Sequence, residues 1–159
     1  AITRYVFIDD FCGSGQQAVQ YSSGPVAGMK AAAAAAGVRI NVAYHVLLAT
    51  RKGLRRVQSH TMFDEVECVI DLDDSYRAFD ASSRYFRGAP AGIDQTFAAG
   101  LARFYGLQLQ PADPLGYDDG QLMLGFFHNT PDNVLPIFWH PGDQRKAWHP
   151  VFPRHKKLY

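Results

Sequence analysis

The stretch that decides the fold is Tyr5-Val6-Phe7-Ile8-Asp9-Asp10-Phe11-Cys12-Gly13-Ser14-Gly15-Gln16, close to the start of a chain of 159 residues. Its apolar run ends abruptly at two adjacent acids, which is typical of a buried strand with carboxylates at its carboxyl end. The Gly-Ser-Gly turn that follows can direct backbone N–H groups toward an anion. Because a helix is predicted from Gln16, its positive end would face the same point. The stretch therefore predicts a strand, an anion-binding turn and a helix in succession.

The segments that follow continue the alternation of helix and strand. A helix is expected from Pro25 through a run of alanines, and Gly37 is expected to stop it. Residues 38–49 and 66–72 are apolar and rich in β-branched side chains, as buried strands are. Residues 51–59 between them predict a short basic helix with a threonine cap. The order β-α-β-α-β predicts an α/β fold with a parallel sheet and right-handed crossovers.

The second half of the chain has a different character. Residues 92–105 place apolar side chains on one helical face, and Gly106 is expected to end that helix. Residues 121–127 and 134–139 are strand-like, with a polar turn between them. These segments predict a C-terminal β-rich extension within a single domain over residues 1–159. The first residue is Ala rather than Met, which leaves open whether an upstream segment belongs to the same protein.

Composition limits the classes of function. An apolar fraction of 47% excludes a disordered chain, and a net charge of +1 gives no support to nucleic-acid binding. The sequence contains no window of 18 uninterrupted apolar residues, so no membrane span is predicted. Cys12 and Cys68 are expected to be reduced thiols, which predicts a cytoplasmic protein. The spacing of cysteines and histidines does not match a structural metal site.

The acids and the turn together suit a sugar phosphate. Asp9 and Asp10 can accept hydrogen bonds from ribose hydroxyls, and the turn can hold a 5′-phosphate through its backbone N–H groups. The residues expected at this phosphate are Phe11, Cys12, Gly13, Ser14, Gly15, Gln16 and Gln17. Glycine-rich turns also occur at ordinary strand–helix junctions, where the same residues only cap a helix. Two adjacent acids directly before Gly-Ser-Gly favour the sugar-phosphate interpretation.

The segment resembles the phosphoribosyl pyrophosphate (PRPP) binding motif of type I phosphoribosyltransferases. Asp9 and Asp10 match its two acids and the Gly-Ser-Gly turn matches its phosphate loop, whereas Gln16 and Gln17 depart from the usual Gly and Thr or Ser. The resemblance implies a Rossmann-like phosphoribosyltransferase domain with Asp9 and Asp10 as catalytic residues. It implies PRPP or a ribonucleotide as the ligand, with Mg²⁺ bound through that ligand and not directly to the protein. Those enzymes also have an upstream pyrophosphate loop, for which residues 128–133 are a candidate replacement, although a hairpin turn is the simpler interpretation.

Later segments resemble the C-terminal signatures of the PRTase-CE group, which are phosphoribosyltransferase-like proteins of bacterial conflict and defence systems. These segments are Pro114-Leu115-Gly116-Tyr117, Gln121-Leu122, His128–Pro136 with Trp139, and Trp148–Arg154. The resemblance implies an antiviral defence role with partner proteins. It also adds Asn129, Asn133 and Arg154 as candidate ligand contacts.

Two other functions fit parts of the pattern. Residues 8–15 are close to the first motif of DNA amino-methyltransferases, which would bind S-adenosylmethionine (SAM). Against this, residues 38–50 end in Leu-Leu-Ala-Thr and not in an acid for the SAM ribose, and the catalytic Pro-Pro motif of those enzymes is absent. The other alternative is a non-catalytic nucleotide-sensing effector subunit, which the departures at Gln16 and Gln17 favour.

Charged stretches outside the motif have simpler interpretations. The basic stretch 51–56 could meet phosphates, but a solvated helix face is favoured. Asp71, Asp73 and Asp74 close the third predicted strand and could assist a site, although capping and turn roles are favoured.

Overall fold

The computed structural model describes residues 2–143 and 147–154 of the chain. The chain divides into two compact units, Ala1–Leu72 and Asp73–Tyr159. The single domain expected from the sequence stays a prediction. Among the described residues, no helix combines the length and the apolar character needed to cross a membrane.

The first unit alternates strands and helices as the sequence predicted. Its strands are β1, Arg4–Cys12, β2, Asn41–Thr50, and β3, Glu65–Leu72. Its helices are α1, Gln16–Tyr21, α2, Ala27–Ala35, and α3, Arg51–His60. β1 continues through both motif acids, so Asp9 and Asp10 lie inside the end of the strand and not beyond it.

The strands form a parallel sheet in the order β1-β2-β3, which confirms the predicted α/β class. Asp9 lies opposite Val46 of the central strand, and Val46 lies opposite Cys68. Because all three strands run in one direction, their carboxyl ends meet at one edge of the sheet. The turn after β1 and the start of α3 after β2 lie next to each other at this edge.

One face of the sheet carries the core of the first unit. α1 and α3 pack on this face, and the buried cluster consists of Cys12, Ala18, Tyr44, Val46, Ala49 and Val57. On the opposite face Ile8 and Val69 are 85% and 76% exposed. Parallel sheets are usually covered on both faces, so this open face is an unusual feature of the unit.

The connection from β1 to β2 is one continuous helix with a π-helical turn at Ser22–Val26. The expectation of a new helix starting at Pro25 was therefore wrong. Proline has no amide N–H to donate, and a widened turn accommodates that loss without breaking the helix. The Oγ of Ser22, which is buried, accepts a hydrogen bond of 2.6 Å from the Met62 amide. Gly37 follows the last turn with φ +68°, which confirms its predicted role as the stop.

The second unit contains mainly helices and turns over its described residues. They are a 3₁₀ turn, Asp74–Tyr76, helix α4, Gln95–Leu109, a second 3₁₀ turn, Tyr117–Asp119, and helix α5, Pro136–Trp139. α4 runs through Gly106, so the prediction that this glycine ends the helix was wrong. Gly106 packs against the Pro114 backbone, where a Cβ would lie 1.9 Å from the carbonyl oxygen. A glycine inside a helix allows such a close approach.

The predicted C-terminal β-rich extension is not seen in the described part of the second unit. Within residues 121–139 only an isolated parallel bridge joins Leu122 to Val134. Pro136 begins a short helix where a strand was expected, because proline suits the first turn of a helix and cannot donate to a strand ladder. The apolar residues of the segment 121–139 are instead buried around an irregular backbone, and Leu122, Val134 and Leu135 are at most 2% exposed.

Candidate functional site

The candidate site begins at the turn between β1 and α1. Gly15 immediately precedes α1 in the left-handed conformation, with φ +73°, and its carbonyl oxygen accepts a hydrogen bond from the Val19 amide. The Oγ of Ser14 accepts a hydrogen bond of 3.3 Å from the Gln16 amide. Gln16 and Gln17 are exposed at the helix start. The predicted succession of strand, turn and helix is thus confirmed.

The two motif acids have different environments. Asp9 is half-buried, and its Oδ2 accepts a hydrogen bond of 2.8 Å from the Tyr44 hydroxyl. Its Oδ1 accepts a hydrogen bond of 3.0 Å from the Asp10 amide. Asp10 itself is exposed. Asp9 is therefore held by the protein through both carboxylate oxygens, while Asp10 presents its side chain at the surface.

Cys12 and Tyr44 form the buried base of the site. Burial raises the pKa of the Cys12 thiol to about 11, so the thiol stays neutral and is not a nucleophile near pH 7. Burial likewise raises the pKa of Tyr44 well above its usual value, which keeps its hydroxyl a donor to Asp9. Cys12 is 4% exposed and lies in the core. Both Cys12 and Cys68 are free thiols, as expected.

The turn rests directly on α3. Thr50 caps α3 by accepting a hydrogen bond from the Gly53 amide, as the sequence predicted. The same hydroxyl donates to the Gly13 carbonyl oxygen at 2.5 Å. A Cβ on Gly53 would lie 2.1 Å from that oxygen, and a Cβ on Gly15 would lie 2.7 Å from the Gly53 carbonyl oxygen. The two glycines therefore bring the backbones of turn and helix into contact.

Sequence reasoning missed this contact. Thr50 was expected only to cap a helix, and Gly53 was given no role. The available signal was a glycine inside a short helix, which often marks a close approach of two backbones. The sequence alone does not say which backbone approaches.

Residues 1–154 match the sequence model of the PRTase-CE family. The chain belongs to the PRTase-CE family. This confirms the family suspected from the motifs, and the family name marks its members as phosphoribosyltransferase-like. No curated protein matches the chain significantly, and no solved structure does either.

Three further residues of the PRTase-CE signatures were candidate ligand contacts. Asn133 is buried, and its Nδ2 donates to the Tyr117 carbonyl oxygen at 2.9 Å. The Asn129 Oδ1 accepts a hydrogen bond of 2.9 Å from the Thr130 amide. Each of these contacts holds the irregular backbone of the second unit, and a ligand contact for either asparagine stays a prediction.

Arg154 closes the described part of the PRTase-CE match. Its guanidinium lies 5.2 Å from the centre of the Trp139 ring and 3.7 Å from an Asp132 carboxylate oxygen. The Trp139 Nε1 in turn donates to the Val134 carbonyl oxygen at 2.9 Å. Two signature segments thus meet in one packing arrangement, and a ligand contact for Arg154 also stays a prediction.

The acids around the end of β3 have partners within their own units. The Asp71 carboxylate lies 3.3 Å from an Arg51 guanidinium nitrogen. Asp73 caps the following 3₁₀ turn by accepting a hydrogen bond from the Ser75 amide, which confirms the favoured capping role. Across residues 2–143 and 147–154, no group of three or more His, Cys, Asp or Glu side chains is placed to hold a metal ion.

Proposed function

We propose that this PRTase-CE protein binds PRPP or a ribonucleotide together with Mg²⁺ at the turn Gly13–Gln17. The observation that carries the proposal is the placement of this turn. It lies between two acids at the carboxyl end of a parallel strand and the start of a helix. Ligands of open parallel sheets bind beyond the carboxyl ends of the strands, and helix starts attract phosphates.

The two acids take different parts in this proposal. Asp10 is exposed and accepts hydrogen bonds from the ribose hydroxyls. Asp9, held by Tyr44 and by the Asp10 amide, fixes the backbone of the strand end and adds negative charge beside the anomeric carbon. A negative charge there stabilises the positive charge that develops on the ribose in the transition state.

The proposed reaction is displacement at the anomeric carbon of PRPP. An acceptor nucleophile forms a bond to this carbon, the bond from the carbon to the pyrophosphate oxygen breaks, and pyrophosphate leaves with the electron pair. The protein contributes positioning of the ribose and stabilisation of charge. Mg²⁺ would enter with the ligand and neutralise the charge of its phosphates.

The direct test is calorimetric titration with PRPP and Mg²⁺, followed by a pyrophosphate-release assay with water or free bases as acceptors. We expect binding by the unaltered protein, and at least about 100-fold slower release in Asp10→Asn, since a transition-state contact is lost. Glu65→Gln, at the amino-terminal end of β3, serves as the control for the loss of a carboxylate at the opposite edge of the same sheet. Binding of SAM without binding of PRPP would overturn the proposal in favour of a methyltransferase.

A non-catalytic nucleotide sensor is the second candidate, and a specific observation favours it. Gln16 and Gln17 place long exposed amide side chains at the helix start, where the type I motif has small or hydroxyl residues. Protection of residues 9–17 from hydrogen exchange by PRPP, without any pyrophosphate release, would support the sensor over the enzyme.

The methyltransferase alternative is disfavoured by the end of β2. This strand lies beside β1, and its last residue is Thr50, whose hydroxyl binds the Gly53 amide and the Gly13 carbonyl oxygen. An acid for the SAM ribose is expected at this point in methyltransferases, and a threonine engaged in this way does not replace it.

We also propose that the protein acts in the cytoplasm of a bacterium as part of an antiviral or conflict system with partner proteins. The family assignment supports the defence role, and the two free thiols suit a reducing compartment. Loss of protection from phage when Asp10→Asn replaces the native residue in the host would support the proposal. Full protection by this variant would count against it.

A further inference from the structure

Helix α3 carries four cationic residues and no acid within its ten residues, Arg51–His60. Residues four apart lie on the same side of a helix. Lys52 and Arg56 therefore form one row, and Arg51 and Arg55 form a second row. The two rows have different neighbours.

The row of Arg51 faces β3, because the Arg51 guanidinium lies 3.3 Å from the Asp71 carboxylate. The row of Lys52 and Arg56 faces the turn after β1. A Cβ built on Gly15 would lie 3.4 Å from the Cβ of Arg56. The side chain of Arg56 thus starts beside the proposed phosphate-binding turn.

Arg55 and Arg56 are both exposed. Within the part of the chain that the structure describes, neither forms an ion pair with a carboxylate. The charge of Arg56 is therefore available to an anion at the turn. Arg55 carries the same charge but lies on the row of Arg51, so it is the matched residue for comparison.

We propose that Arg56 contacts the phosphate group of the ligand held at Gly13–Gln17. This inference rests on the proposed function and names the feature that the site selects, a phosphorylated ribose over an unphosphorylated nucleoside. A guanidinium binds a phosphate through two parallel N–H···O bonds. Such a contact would replace the hydrogen bond to the phosphate that the hydroxyl group of a Thr or Ser donates in the type I motif and that Gln17 does not provide.

The test compares Arg56→Gln, Arg56→Lys and the matched control Arg55→Gln in the full chain. Affinities for ribose 5-phosphate, for PRPP with Mg²⁺, and for adenosine are measured by calorimetry at two salt concentrations. We expect Arg56→Gln to bind both phosphorylated ligands about 10-fold to 100-fold more weakly, with a shallower salt dependence. Arg56→Lys should keep part of the affinity, and Arg55→Gln should stay within about twofold of the unaltered protein.

Each outcome separates this inference from the function on which it rests. If the unaltered protein binds neither phosphorylated ligand, both are overturned. If it binds them and Arg56→Gln binds equally well, only the role of Arg56 is overturned. An equal loss in Arg55→Gln and Arg56→Gln would point to the general field of the helix and would also overturn a specific contact. Melting temperatures of all variants are measured to test whether each one keeps the fold.

Discussion

At the scale of single residues, Gly15 and Gly53 set the distance between the turn and α3. Each would place a Cβ within 3.0 Å of the other segment's backbone oxygen. Thr50 joins the same two segments through its hydroxyl. The shape of the proposed phosphate site therefore depends on Gly53 of α3 as well as on the turn itself.

Gly53→Ala is predicted to destabilise the protein by about 1–3 kcal/mol, because its Cβ would overlap the Gly13 carbonyl oxygen. Gly28→Ala in α2 is the matched control, since a Cβ there has no neighbour within 4 Å. The control should gain roughly 0.5–1 kcal/mol through helix propensity. Urea unfolding measures both. Equal effects would contradict the backbone contact.

Tyr44→Phe is predicted to cost about 1–3 kcal/mol of unfolding free energy, because the half-buried Asp9 loses a hydrogen bond to its charged carboxylate. Tyr21→Phe, at a position 47% exposed, should change stability by less than about 0.5 kcal/mol. A double-mutant cycle of Tyr44→Phe with Asp9→Asn isolates the interaction. A coupling energy near zero would show that this hydrogen bond does not hold Asp9.

At the scale of elements, helix α4 contains two glycines with opposite environments. Gly106 lies against the Pro114 backbone, whereas a Cβ on Gly100 would have no neighbour within 4 Å. We predict that Gly106→Ala destabilises the protein by about 1–3 kcal/mol and that Gly100→Ala stabilises it by about 0.5–1 kcal/mol. Thermal unfolding of the two variants is the measurement. Stabilisation by both would mean that α4 does not pack in this way.

Asp64 links α2 to the sheet. We predict that this link makes the stability of the folded protein decrease at low pH. Its carboxylate accepts hydrogen bonds of 2.7 Å from Lys30 Nζ and from the Val42 amide. The hydrogen bond from Lys30 and then that from Val42 lower the pKa of Asp64 below its usual 3.8. The carboxylate therefore stabilises the fold above pH 3.8, and this contribution is lost as the pH falls through the lower pKa of the folded state.

The measurement for Asp64 is urea unfolding of the unaltered protein and of Asp64→Asn between pH 6 and pH 2.5. The unaltered protein should be the more stable one at pH 6, and the difference should shrink as the pH approaches the lower end. A difference that stays constant over this range would contradict the proposed role of the ionised carboxylate.

At the scale of the whole molecule, the sheet of the first unit has one packed face and one open face. Val46 is 2% exposed on the packed face, and Val69 is 76% exposed on the open face. Val46→Thr is predicted to cost about 1–3 kcal/mol because it buries a hydroxyl, and Val69→Thr to cost less than about 0.5 kcal/mol. Equal costs in urea unfolding would show that the open face is covered in solution.

The helices and strands of the first unit were easier to predict from the sequence than those of the second unit, for a physical reason. In the first unit, apolar runs such as 66–72 and local signals such as Gly37 specify elements through neighbouring residues alone. In the second unit, the carbonyl oxygens of the segment 134–139 accept hydrogen bonds from indole N–H groups, one of which belongs to a tryptophan outside the segment. The Trp148 Nε1, for example, donates to the Ile137 carbonyl oxygen at 2.8 Å. Such pairings depend on contacts that a local pattern does not contain.

The sequence by itself determined the motif Asp9-Asp10 followed by Gly-Ser-Gly, the order of strands and helices around it, and the family. These follow from local periodicity, turn chemistry and residue identity. Only the tertiary structure decided that Asp9 is held by Tyr44, that Gly53 supports the turn, and that Arg56 starts beside it. Parallel strands bring residues far apart in sequence to one edge of a sheet, and the pairing of β1 with β2 decides which of them meet.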